Sequence, residues 1–175
     1  MADDLRAQKA QYERVWDFRA AAECARKLGD LPDAIRLLID ARAIDEAAQV
    51  AAQLTDVKEV ARAAEIYQKK RIWEGAAALR ERLGEFERAA ECWGKAQRPL
   101  ERARTLELAG RPREAGLLLE RMIADAPQAP DAAEARLRLA KLLAAFGRHE
   151  DAVRHLQRAR PDPLLVRELD ALGLR

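Results

Sequence analysis

Residues 73–96 read Trp73-Glu-Gly-Ala-Ala-Ala-Leu-Arg-Glu-Arg-Leu-Gly84-Glu-Phe-Glu-Arg-Ala-Ala-Glu-Cys-Trp-Gly-Lys-Ala96. Apolar residues recur at spacings of three and four on both sides of Gly84, which is the period of a helix with one buried stripe. Gly84 stands where a helix needs a left-handed closing residue, so the stretch reads as two short antiparallel helices around a tight turn. Ala77 on the first helix and Ala89 on the second keep their contact small enough for close backbone approach.

The same register recurs outward in both directions. Five, four and three residues after each turn glycine stand Ala34, Leu38 and Ala41 after Gly29, and Ala89, Trp93 and Ala96 after Gly84. Ala115, Leu119 and Met122 follow Gly110, and Ala152, Leu156 and Ala159 follow Gly147. Upstream of each glycine the first helix carries Phe18, Ala22 and Ala25, then Trp73, Ala77 and Arg80, then Pro99, Ala103 and Leu106, and finally Arg136, Ala140 and Leu143. Pro32, Pro99, Pro112 and Pro130 open helices where the glycines close them. Helices are therefore expected over about 16–28, 31–41, 43–53, 56–69, 72–83, 86–96, 99–109, 112–124, 130–146, 149–159 and 162–172, after a polar first helix near 3–14. Helices this short are marginal alone and must be stacked as hairpins. Gly75, Gly94 and Gly116, interior to helices, are expected to mark close crossings.

Composition agrees with this architecture and removes much chemistry. Of 175 residues 49% are hydrophobic and 35% charged, with 38 Ala and 24 Leu against eight aromatics, which suits closely packed helices rather than disorder. There is no Ser and no Asn, and Thr55 and Thr105 are the two threonines, so a serine nucleophile is excluded. The balance of 32 Lys and Arg against 30 Asp and Glu, dispersed along the chain, does not call for nucleic acid. His149 and His155 are six residues apart, on opposed sides of a helix, and make a poor metal pair. No metal, cofactor, catalytic residue or small-molecule substrate is expected. Cys24 and Cys92, each in an Ala-Ala-Glu-Cys context, read as small buried thiols. With an amino terminus lacking basic and apolar export signals, they point to a reduced, cytoplasmic location without membrane insertion.

The register resembles the tetratricopeptide repeat (TPR), with Trp73 at the place of the family's tryptophan and Pro127 at that of its closing proline. The resemblance covers about four-fifths of the chain if 42–71 is a degenerate copy with its turn at Leu54, Thr55 and Asp56. Glycine spacings of 55, 26 and 37 residues depart from a regular repeat. The implied fold is all-α: one right-handed solenoid domain over 1–175, of about five to six antiparallel hairpins of irregular length, with 1–14 as a polar amino-terminal helix and 162–175 as a carboxy-terminal cap. The implied function is a non-enzymatic scaffold or adaptor that binds another protein or peptide through its concave face, as a subunit of a larger complex. The alternative is a bacterial secretion or assembly chaperone holding an extended client segment. Carried over by register, the partner-binding places include Trp16, Arg19, Glu23, Arg26, Lys27, Arg71, Glu74, Arg82, Arg104 and Lys141. The Lys and Asn clamp of chaperone-binding members is not available in a chain without Asn, although Arg19, Arg26 and Arg71 could hold a carboxylate.

Overall fold

A computed structural model describes residues 1–158, and the carboxy-terminal cap expected over 162–175 lies outside the described residues. Among the described residues there are eleven α-helices: α1 (Ala2–Arg14), α2 (Phe18–Lys27), α3 (Leu31–Asp40), α4 (Ile44–Gln53), α5 (Val57–Lys69), α6 (Trp73–Arg82), α7 (Phe86–Lys95), α8 (Pro99–Leu108), α9 (Pro112–Asp125), α10 (Ala132–Ala145) and α11 (His149–Arg158). The chain divides into two compact units, 1–96 with α1–α7, and 97 onward with α8–α11.

The hairpins follow a thirteen-residue beat. Helices begin at 18, 31, 44 and 57, then at 73, 86, 99 and 112, each a ten-residue helix plus a three-residue turn except where α5 and α9 run longer. The turn chemistry explains the compactness. At 28–30, the Gly29 amide donates to the Arg26 carbonyl and the Asp30 amide to that of Ala25, a Schellman closure whose last residue already caps the next helix. The same pair of bonds closes 15–17, 41–43, 70–72, 83–85, 109–111 and 146–148. Four residues past each of these caps, at the first interior turn, stand Ala21, Ala34, Ala47, Ala76, Ala89, Ala115 and Ala152, all fully buried. Alanine there lets two backbones meet without a side chain between them.

Turns alternate in kind. Those inside hairpins carry Gly29, Gly84, Gly110 and Gly147 at φ near +75°, whereas those between hairpins place Trp16, Arg42, Arg71 and Gln97 at φ of 57° to 63°. A side chain in this left-handed region costs on the order of 1 kcal/mol relative to glycine. The 54–56 turn is extended, with Asp56 Oδ1 accepting from the Lys58 and Glu59 amides, and α5 packs on α3.

In the first unit the core runs from α2 through α7 around the most buried helix, α3, with Ile35, Leu37 and Leu38 inside. Two rows of parallel helices can be followed by their polar ties. Arg19 of α2 meets Glu46 of α4 at 2.8 Å, and Arg82 of α6 donates to the Ala51 carbonyl of α4 at 2.7 Å. In the other row, Arg36 of α3 reaches Glu13 of α1 at 2.8 Å, and Lys70 closing α5 reaches Asp40 of α3. Gly75 does mark a close crossing, since a Cβ there would lie 2.5 Å from the Tyr67 ring. Gly116 does not: its Cβ would sit 3.9 Å from Leu139 in ordinary contact, because α9 and α10 are held apart by leucine rather than pressed on a ring.

α1 contributes no buried residue and is held by ionic ties instead. Lys9 and Arg36 both donate to Asp33, which is 8% exposed, and Glu13 completes the cluster. Burial pushes the Asp33 carboxyl up, but hydrogen bonds from Arg36 and Lys9 outweigh it and hold the group below its usual range. A carboxyl depressed in the folded state contributes stability above its unfolded pKa, near 4, and loses that contribution as pH falls through the folded value. Hydrogen-exchange protection of residues 2–14, corrected for intrinsic rates, is therefore expected to fall below about pH 4 before that of α3. Asp33→Asn should loosen α1 at neutral pH, by about 1–3 kcal/mol. Protection of 2–14 unaffected by either change would refute the ionic attachment.

Candidate functional site

Of the sequence-derived partner-binding residues of the first unit, Arg19, Glu23, Arg26 and Lys27 lie on α2 and Glu74 and Arg82 on α6, in the row that α4 completes. The buried stripe of α2 is Ala21, Ala22, Cys24 and Ala25, so Arg19, Glu23, Arg26 and Lys27 face solvent by helical period. Glu23 and Arg26 pair at 3.0 Å along the helix, and Arg19 spans to Glu46. Exposed Ala48 and Ala52 of α4 and Ala78 of α6 continue the surface, giving low relief between mixed charges. Glu74 on the first turn of α6 is exposed and already engaged by an intramolecular partner.

Three of the expected residues have different surroundings. Trp16 and Arg71 lie not on the helices but in the turns before α2 and α6, Trp16 being 78% exposed with its ring edge-on to Phe18 at 5.8 Å. Arg82 donates from both terminal nitrogens to the Ala51 and Leu54 carbonyls, satisfying orphan acceptors at the end of α4. That capping role ties the guanidinium to the fold. In the second unit Arg104 is half-buried on α8 and Lys141 exposed on α10, each with an intramolecular partner.

Two features escaped the sequence reading. One is Arg42, exposed in the 41–43 turn like Arg71 in its own, with no glycine to announce the turn. The other is an apolar groove of about 510 Å³ between α9 and α10, lined by Gly116, Leu117, Leu139, Leu143 and Phe146. Gly116 was the available signal, since a small residue on a leucine-rich face leaves space.

Both cysteines are free and buried, as expected. Burial pushes the Cys92 thiol up, while the Gln68 amide donates to its sulfur at 3.4 Å. Among the described residues no cluster of three or more His, Cys, Asp or Glu could hold a metal ion, and no helix is long and apolar enough to cross a membrane.

Residues 100–163 match the tetratricopeptide repeat family model. Solved structures similar to this chain include MamA from AMB-1, with 16% identity over 89% of this chain and 94% of that one and a TM-score of 0.36. They also include YrrB, described as a TPR protein with an unusual peptide-binding site, with 21% identity over 99% and 100% and a TM-score of 0.36. No curated protein matches the chain. With its all-helical hairpins and its repeat match, the chain is a TPR-like helical repeat protein.

Proposed function

We propose that the protein is a non-enzymatic scaffold or adaptor that binds a partner protein or peptide through the concave face, lined by the solvent-facing sides of the first helices of its hairpins. The observation that carries this reading is the surface of α2 and α4, where Arg19, Glu23, Arg26, Lys27 and Glu46 stand between exposed alanines. Mixed charge on a low, helix-held surface suits a partner that brings both signs and an extended backbone, and not a polyanion. The TPR-like repeat supports protein recognition in general terms, and the α2 and α4 surface supplies the residues.

The test is affinity purification of the full chain from its own cells beside the double variant Arg19→Glu/Arg26→Glu. Both side chains are exposed, so the exchange should cost less than about 1 kcal/mol of stability. A defined set of proteins recovered in stoichiometric amount by the unsubstituted chain is expected to drop at least tenfold with the variant at unchanged Tm. Equal recovery by the two would refute the face as the binding surface.

A further inference from the structure

We infer that one edge of the first unit, formed by the turns 15–17, 41–43 and 70–72, docks an acidic peptide segment that also carries leucine- or phenylalanine-sized side chains. The inference rests on the peptide-binding reading above and extends its contact from the helix faces onto the turns before them.

Three polar ties bring these turns to one edge. The Arg19 to Glu46 pair sets the first turns of α2 and α4 side by side. Arg82 on the α4 carboxy end aligns α6 parallel to α4, and Lys70 on Asp40 joins the ends of α5 and α3. The opposite edge carries the glycine turns at Gly29 and Gly84, which present no side chain. On the inferred edge the corresponding positions hold Trp16, Arg42 and Arg71 at positive φ, where glycine would fit more easily.

The surface around them is both apolar and cationic. Val15 and Trp16 are 66% and 78% exposed, and Ile44, the first residue of α4, is 37% exposed. Arg14, Arg42 and Arg71 are exposed and have no side-chain partner among the described residues. The carboxylates nearby are committed elsewhere. Asp17 accepts from the Ala20 amide, Asp40 holds Lys70 and Glu46 holds Arg19, while Asp45 is exposed in the first turn of α4. Unpaired guanidinium groups beside an exposed indole recognise carboxylates bidentately while apolar side chains cover the aromatic.

The test uses fluorescence anisotropy of the full chain with a labelled twelve-residue peptide of repeated Glu-Leu-Glu-Phe, against a Lys-Leu-Lys-Phe peptide and a dT12 oligonucleotide. The variants are Trp16→Gly and Arg42→Gly/Arg71→Gly, whose Tm is expected to stay at or above that of the unsubstituted chain because glycine relieves the turn. The acidic peptide is expected to bind, at least tenfold tighter than the basic one, and each variant should weaken it tenfold or more. No binding, equal binding of the basic peptide, tighter binding of dT12, or affinity unchanged in both variants would each overturn the inference. Loss with Arg19→Glu/Arg26→Glu but not with the glycine variants would overturn the edge and leave the helix-face reading standing.

Discussion

Arg80→Ala is expected to lower the stability of the first unit by about 2–4 kcal/mol. Arg80 is 5% exposed, with Nη1 donating to Glu85 and Nη2 donating to Gln68 at 2.8 Å, while its Nε has no partner. Gln68 in turn donates to Cys92 Sγ. One guanidinium thus ties α5, α6 and the start of α7. Truncation to Ala empties its volume and strands the Gln68 carbonyl oxygen, whereas Arg80→Leu keeps the packing and leaves Glu85, a third exposed, free to turn into water. Leu106 and Leu143 occupy the equivalent places of later hairpins, so Leu is expected to recover at least half of the loss. Burial pushes the Glu85 carboxyl up, but Arg80 and Arg88 hold it below its usual range. The pair therefore contributes above about pH 4.5 and fades as pH falls through the folded value. Chemical denaturation at pH 7 and pH 4 checks both statements. Arg80→Ala as stable as the unsubstituted chain, or Arg80→Leu no better than Arg80→Ala, would refute this account.

The same residue shows what sequence could and could not reveal. The register that placed Ala22, Ala77, Ala103 and Ala140 at one position found residues that are all fully buried, because a helix crossing fixes both size and spacing. It also placed Arg80 in a leucine's position, yet could not give its partners, Glu85 in the turn before α7 and Gln68 on α5. Glycine turns were legible because only glycine enters the left-handed region without strain. The turns at Arg42, Arg71 and Gln97 fall in the gaps between the expected helices, but their left-handed backbone was hidden by residue type, and Trp16, expected to open a helix, lies in such a turn as well. The thirteen-residue beat accounts for the uneven glycine spacings: 26 residues is two beats, 55 includes three extra residues in α5, and 37 includes the longer α9 and α10 and the 126–131 loop. Arg82 was expected to face a partner because the register of the resemblance carried a groove-facing place onto it. The carbonyls it caps become visible only once α4 ends beside it.

Side chains in strained turns and side chains at helix crossings differ in how far they can change. The core register tolerates little, because at an alanine crossing only glycine is smaller, at a cost in helix propensity, and any larger residue separates the backbones. The turns between hairpins tolerate any residue that accepts about 1 kcal/mol of strain. Residues 16, 42 and 71 can therefore vary while the stacking stays fixed, and the surface and the core are specified by different residues of the same beat.

The crossing of α6 on α5 is where that intolerance is most acute. Gly75→Ala is expected to cost about 1–3 kcal/mol net, even though alanine in a helix interior gains about 1 kcal/mol over glycine elsewhere. The added methyl would lie 2.5 Å from Cδ1 and Cε1 of Tyr67, whose ring is 2% exposed and has no free side to move toward. The control is Gly116→Ala, where the nearest atom is Leu139 Cδ1 at 3.9 Å, and there the propensity gain should appear as a Tm no lower than that of the unsubstituted chain. The Tyr67 hydroxyl is buried without a hydrogen-bond partner, and burial pushes it up to about 12, so it never ionises at working pH. Tyr67→Phe is accordingly expected to be neutral or slightly stabilising, since it removes an unsatisfied group and keeps the ring. A double-mutant cycle separates ring contact from helix propensity. In a Tyr67→Leu background the ring edge is gone, and Gly75→Ala should lose at least 1 kcal/mol of its cost. If the cost of Gly75→Ala is the same in both backgrounds, the strain lies in the α6 backbone itself and the ring contact is not what requires glycine at this position.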